Sequence, residues 1–250
     1  MLGKKSVLHK VIFLIFLKNN GNLNGSNRGI LVMCAIYQPS RLDQVASLGM
    51  VQPSFDFVSE AYPSSMCPII VDDHDAMVWR QAMFGLVAGW AKDTKISRNT
   101  YNARIESIAE KASYKHAWHK RQFALVPMAS FKEPNYESGK SEWWRIERED
   151  HEPFTAAAIY DFWTDKQTNE ILRSFSMITI NANESPLMRR FHDPKEEKRS
   201  IVIVPAHLRK DWLHANEYTI PMFLENFNSA EYTACAALPT PRSHPQIQLI

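Results

Sequence analysis

The sequence is poor in cysteine: Cys34, Cys67 and Cys235 are the only three in 250 residues. An odd three cannot build a disulfide framework and fits a reducing compartment. No two stand at CxxC spacing, which argues against a structural zinc site. No apolar run approaches the roughly 18 residues that a membrane-spanning helix needs, so no membrane association is expected. Charge of one sign is also lacking. Lys+Arg is 29 against Asp+Glu 27, and that balance argues neither for nor against a polyanionic partner. No internal repeat is evident. What remains is 45% hydrophobic and 22% charged, the composition of a globular chain with one sizeable core.

The balance of charge is an average over two unlike parts. Residues 1–33 carry Lys4, Lys5, Lys10, Lys18 and Arg28 and no acidic residue. The remaining 217 residues hold 24 basic and 27 acidic residues, so the sign reverses without that segment. The basic start and the apolar run Val11–Leu17 suggest an export signal. However, Lys18 closes the run early, no small-x-small site follows, and an Asn/Gly tract of linker chemistry begins at Asn19. Residues 1–33 therefore read as a leader, through a mis-called start or a removed propeptide. Arg28-Gly29 can be encoded AGG-GGA, like a bacterial ribosome-binding site, with Ile30, Leu31 and Val32 as spacer before a start at Met33. The expected organisation is a leader 1–33, a catalytic domain 34–238 and an irregular tail 239–250 containing Pro239, Pro241 and Pro245.

Ser97–Gln122 reads as a helix with Ile105, Ile108 and Ala112 on one face. Gln122–Met128, Phe154–Trp163, Ser174–Ile180 and Ser200–Val204 read as strands. Ser185-Pro186 has the chemistry of a helix start, with Ser as cap and Pro at the first position. Pro205–Ala215 reads as a helix with Leu208, Trp212 and Leu213 inward. Strands and helices do not alternate as βαβ units. The expected fold class is therefore α+β: one compact domain of mixed, largely antiparallel β-sheets with peripheral helices.

Several residues offer chemistry. If Met33 initiates and is trimmed, Cys34 becomes the first residue, with a free α-amine of reference pKa about 7.7–8.0 beside a thiol. That pair can condense with an aldehyde and close a thiazolidine ring. The alternative is an ordinary buried cysteine in a strand over 30–37. Cys67 and Cys235 read as packing residues. Asn102 either caps a helix or orients a ligand, and Arg104 suits a phosphate or a carboxylate. Gly89-Trp90 suits base stacking or a core contact. Glu133 follows the 122–128 strand as a general acid or base, or as a solvated loop residue. In His192-Asp193 neighbours rarely face each other, so His192 is the stronger candidate. His116, His119 and His151 lie in polar stretches.

Taken in order, Met33-Cys34, Gly89-Trp90, Asn102-Ala103-Arg104-Ile105-Glu106, Val126-Pro127 through Glu133, and His192-Asp193 before a strand resemble the motif order of SOS-response-associated peptidases. These are understood as abasic-site processing proteins. The resemblance runs from about Met33 to Glu225. It implies a covalent thiazolidine link between Cys34 and an abasic site in single-stranded DNA. Glu133 would assist sugar ring opening, and His192 would move protons as the Schiff base forms or reverses. Asn102 would position the Cys34 amine. Arg104 and Arg199 would meet phosphates, Trp90 would stack on a base, and Pro63 would lie in a nucleic-acid loop. The resemblance further implies a bacterial cytoplasmic, replication-associated monomer with single-stranded DNA as partner, and the residues suggest neither metal nor organic cofactor.

The sequence departs from the family pattern in places. Cys34-Ala35-Ile36-Tyr37 lacks the usual Arg two positions after the Cys, Ala91 replaces a second Trp, and the stretch from Pro194 to Arg199 is longer. Two other functions fit the same residues: a cysteine peptidase acting on its own N-terminus, or a non-covalent single-stranded-DNA module. A leader would block the Cys34 amine. The protein isolated from its native host is therefore expected to begin at Cys34 by mass spectrometry of its N-terminal peptide; recovery of residues 1–32 would remove this expectation.

Overall fold

Phe175, Met177 and Thr179 alternate with Ser176, Ile178 and Ile180, and all six are buried. A strand buried on both faces needs a core on each side, and the architecture supplies two. The computed structural model of the chain describes residues 35–225 and 227–237. The strands are β1 Ile36–Pro39, β2 Met66–Asp73, β3 Ala76–Phe84, β4 Asn102–Arg104, β5 Phe123–Asn135, β6 Glu142–Arg148, β7 Phe154–Thr164, β8 Ile171–Asn181, β9 Arg199–Ile201, β10 Ile203–Val204 and β11 Tyr232–Ala236. Two short α-helices, α1 Lys115–His119 and α2 Arg209–Leu213, accompany several 3-10 turns. The fold is α+β, as the sequence predicts.

Five strands close a barrel in the order β5-β2-β3-β8-β7, with β7 returning to β5. All contacts around it are antiparallel except β3 with β8, where Met83 aligns with Ser174. Inside lie Cys67, Ile69, Phe84, Val126, Ala156, Ala158, Phe175 and Met177. Outside, Leu125, Ala157, Ile159, Ile178 and Ile180 pack under Trp118 of α1 and Trp212 and Leu213 of α2. The alanines of β7 leave room for the large rings from other strands. Phe84 meets Phe175 stacked at 5.2 Å and Tyr37 edge-on at 5.3 Å. Gly85 ends β3 at φ 105°, and a Cβ there would sit 2.0 Å from the Ser97 carbonyl oxygen, so only glycine fits.

β5 outruns its prediction. It continues past Met128 to Asn135, leaving the barrel to pair with β1 and β6. The predicted helix over 97–122 is not formed as such. Asn102–Arg104 is a strand, drawn into parallel pairing with Met177–Thr179 of β8. Turns follow it, and only Lys115–His119 is α-helical. Ile105 and Ile108 are buried as their spacing suggests, but Ala112 is exposed. Tertiary pairing outweighs the modest helix propensity of that stretch. Ser185-Pro186 opens a turn and not the helix itself: the 3-10 turn is Met188–Arg190 with Leu187 at its N-cap, although the Ser185 hydroxyl accepts from the Met188 amide at 3.2 Å. Pro205–Ala215 forms a 3-10 turn and then α2, with Trp212 and Leu213 buried. The predicted leader 1–33 and tail 239–250 lie outside the described residues.

Burial sets an alkaline limit on this core. It pushes the Cys67 thiol up to about 12, from an ordinary 9.0. It does the same to the Tyr114 and Tyr232 hydroxyls, from 10.0 to about 12. The folded state thus keeps protons that the unfolded chain gives up first. Their stabilising contribution is complete below the unfolded values and is lost as pH rises toward about 12. Urea midpoints are expected to fall steadily above about pH 9, and Cys67→Ala to flatten the first part of the decline; a constant midpoint from pH 7 to 11 would refute this.

Candidate active site

Phe131 and Glu133 are two apart on β5 and so share a face. Phe131 belongs to the core, and Glu133 beside it is 0% exposed. The carboxylate expected just past a strand end is therefore inside the strand, opposite Trp144 of β6. A buried carboxylate needs a partner. His192 provides one: Nε2 lies 3.0 Å from Glu133 Oε2, and both side chains are almost fully buried.

The local chain explains how His192 gets there. The 3-10 turn Met188–Arg190 delivers Phe191 into the core, where it meets the Trp144 ring at 6.4 Å and bridges to Asn135. His192 then turns with φ 66°, a left-handed conformation uncommon for a non-glycine residue. Its amide donates to Pro134 O at 2.8 Å, which fastens it to the end of β5. Lys198 Nζ donates to the carbonyls of His192 and Asp193 at 3.1 and 2.8 Å. Asp193 does not orient the ring. Its carboxylate accepts from the Lys195 amide at 2.8 Å and shapes the loop.

His192 Nδ1 is buried and has no hydrogen-bond partner among the described residues. The imidazole thus carries one nitrogen engaged with a carboxylate and one open for another group. Such a pair can take up and release a proton in a place poor in water. His192 also borders a cleft of about 680 Å³ that includes Tyr136, Arg189, Arg190 and Lys198. Arg190 is fixed there by a bidentate pair with Glu137 at 2.9 and 3.1 Å and by stacking over Trp144. β1 pairs with β5 from Ile36, opposite Lys132, so the chain enters the fold next to Glu133. Cys34, the predicted nucleophile, lies outside the described residues.

The other predicted residues fall into a second group. Asn102 and Arg104 are on β4, and the Tyr114 hydroxyl donates to Asn102 O at 3.0 Å. Arg104 is about two-fifths exposed and pairs with Glu197 at 3.1 Å. Trp90 is 58% exposed, and its indole N–H donates to Ala112 O at 3.0 Å. Pro63 sits in a half-buried turn whose next residue, Ser64, bonds to Phe84 O and to the Ser97 hydroxyl.

Arg199 departs from the expected surface contact. Its side chain is 1% exposed, with Glu106 at 2.7 and 2.9 Å, Glu197 at 3.1 Å and Thr179 O at 2.8 Å. Both guanidinium NH₂ groups are engaged inside the protein, so its place in the fold is to clamp β4, β8 and β9 together. Burial pushes the Glu197 carboxyl up, but Arg199, Asn181 and Arg104 outweigh it and hold the group below its usual range. Lys198 and Trp144 went unnoticed in the sequence. Lys198 sits in a run of charges that reads as solvated loop, and no spacing distinguishes it.

The family description "SOS response associated peptidase (SRAP)" matches residues 34–239. The chain belongs to this family. Among similar SRAP-family proteins, abasic site processing protein YoqW of Bacillus subtilis is 29% identical over 192 residues, 76% of this chain and 80% of that one. Abasic site processing protein YoaM of the same species is 29% identical over 186 residues, 74% and 76% of the two chains. A crystal structure of a Bordetella bronchiseptica protein superposes with TM-score 0.75 at 26% identity, covering 82% of this chain and 100% of that one. One from Bacteroides thetaiotaomicron gives 0.70 at 24%, covering 82% and 93%.

The two arginines near Glu197 should behave differently. Arg199→Met leaves carboxylates behind in a partly buried place and is expected to cost about 2–4 kcal/mol of stability. Arg104→Ala, which removes an exposed pair, is expected to cost less than about 1 kcal/mol. Urea unfolding of both variants checks the contrast, and equal losses would contradict it.

Proposed function

We propose that this protein processes abasic sites in single-stranded DNA by covalent capture through Cys34. The observation that carries the reading is the buried Glu133–His192 pair beside the point where β1 enters the fold. The names of the relatives point the same way.

The chemistry follows from the groups. The ring-opened abasic sugar presents an aldehyde at C1′. The Cys34 α-amine adds to it, and loss of water gives an imine. The thiol sulfur then adds to the imine carbon, and the nitrogen takes up a proton, closing a thiazolidine. Glu133 supports ring opening and proton transfer, and His192 accepts and returns protons in the imine steps. Asn102 positions the amine and sugar. Arg104 exchanges Glu197 for a phosphate, Trp90 offers a flat exposed ring to a base, and the Pro63 turn borders the nucleic acid. Arg199 acts through the fold. The amine must be free, so the active form begins at Cys34.

Strand affinity has a local electrostatic source. Residues 111–121 hold Lys111, Lys115, Lys120 and Arg121 with no acidic residue, and all four are exposed. This face is tied to the Trp90 indole through Ala112 and to Asn102 through Tyr114. Such a patch attracts phosphates although the whole domain is slightly acidic.

A gel assay tests the reading. Protein starting at Cys34 is incubated with single-stranded DNA carrying one abasic site. A heat-stable shifted band is expected, absent in Cys34→Ala and formed about a hundredfold more slowly in Glu133→Gln. Salt-sensitive binding without a covalent band would replace the reading with a non-covalent module. Peptide cleavage without crosslinking would replace it with a peptidase.

A further inference from the structure

We propose that Lys198 is a positioning residue for His192: its ammonium holds the His192–Asp193 turn closed and thereby keeps the imidazole against Glu133. Lys198 is itself fixed at both backbone groups as the chain returns to the barrel. Its amide donates to Asn183 Oδ1 at 2.9 Å, and its carbonyl accepts from the Ala182 amide at 2.8 Å. Ala182 and Asn183 directly follow β8, so Lys198 is anchored to the barrel wall. From there the side chain reaches back across the loop to two successive carbonyls, those of His192 and Asp193. Two carbonyl dipoles converging on one cation make a turn that depends on that cation.

The turn carries some strain. His192 is left-handed at φ 66°, a region uncommon for a side chain with a Cβ and costly enough that restraints matter where the residue is buried. Besides the ring's bond to Glu133, two restraints act on the residue's backbone. The bond from its amide to Pro134 O fixes where the chain enters the turn, and Lys198 fixes where it leaves. Releasing the second lets the peptide after His192 rotate, and the ring swings from Glu133 with it. The ammonium is partly desolvated: burial pushes its pKa down, while Asp193 and Glu196 push it up. Within the Pro194–Arg199 loop, this lysine therefore differs in role from Lys195, which lies on the solvent side.

The catalytic part of the test rests on the proposed DNA reaction; a spectroscopic part does not. Lys198→Met is expected to slow single-turnover crosslinking at saturating DNA about tenfold or more. The Kd for the same oligonucleotide should stay within about twofold, and the salt dependence of binding should not change. Lys198→Arg should restore most of the rate, since it supplies a cation of similar reach. In the full chain, the ¹⁵N signals of the His192 ring should report one fixed tautomer in the wild type and an averaged ring in Lys198→Met. If Lys198→Met does not fold, Asn183→Ala, which releases the Lys198 backbone, takes its place with the same expectations. A raised Kd and shallower salt slope with an unchanged saturating rate would make Lys198 a phosphate contact and overturn the proposal. Unchanged ring signals would overturn it as well. A wild type that forms no crosslink but shows the ring effect would overturn the DNA reading and leave the positioning role standing.

Discussion

One strand belongs to two structures, and the rest is arranged around it. β5 spends Phe123–Met128 closing the barrel against β7, with β2 on its other edge at Ala124 and Leu125. It then pairs with β1 over Met128–Lys132 and with β6 over Ser130–Asn135. A strand has two edges, so this change of partners is the only way for thirteen residues to serve four neighbouring strands. The barrel half is rigid because it is buried on both faces. The projecting half continues the same strand and carries Glu133 into the interior. Burial of the carboxylate then dictates the rest: a partner must be brought to it, and the segment 187–193 is built to do so.

The charged interior is divided between two assemblies with different tasks. Glu133 and His192 form a small pair with a ring nitrogen left open among the described residues. Arg199, Glu106, Glu197, Arg104 and Asn181 form a larger network of ion pairs and hydrogen bonds, half-buried at Glu106 and Arg104 and closed at Arg199. An ion network centred on one buried cation adds little net stability over apolar packing, but it is specific about geometry. Here it fixes where β4 lies on β8. Lys198 and Arg199 are consecutive, so a single step along the chain passes from the first assembly to the second. The loop beginning at His192 therefore contributes one residue to each assembly, Lys198 to the imidazole turn and Arg199 to the network beside β4.

The sequence revealed the parts governed by local chemistry. Alternation over Ser174–Ile180 marks a strand, the Ser185-Pro186 cap marks a turn, and the motif order marks the family. It was silent where distant pairing decides. The spacing of Ile105 and Ile108 suits a helix, yet β8 offers Asn102–Arg104 an open edge and the strand wins. Glu133 looks like a loop residue because Pro134 and a polar stretch follow it. Its burial depends on the adjacent hairpin strand β6 and on β1, which approaches from far earlier in the chain. Arg199 could not be told from a phosphate ligand by its position after His192-Asp193, because Glu106, 93 residues earlier, is what draws it inward. A residue's chemistry is local, whereas its availability is a property of the fold.

That distinction also governs the electrostatics. Residues 34–250 alone are slightly acidic, and the Arg199 side chain is 1% exposed with both of its NH₂ groups engaged inside the protein. Attraction of a polyanion must then come from cations that the fold leaves unpaired on one face. Among the described residues Lys111, Lys115 and Lys120 make no ion pair, while Tyr114, Ala117 and Trp118 between them are buried. The apolar side of this short helical segment holds it to the barrel, and its basic side is thereby displayed next to Trp90. A weakly acidic protein can in this way present a basic path, provided the path is short, rigid and adjacent to the residues it serves.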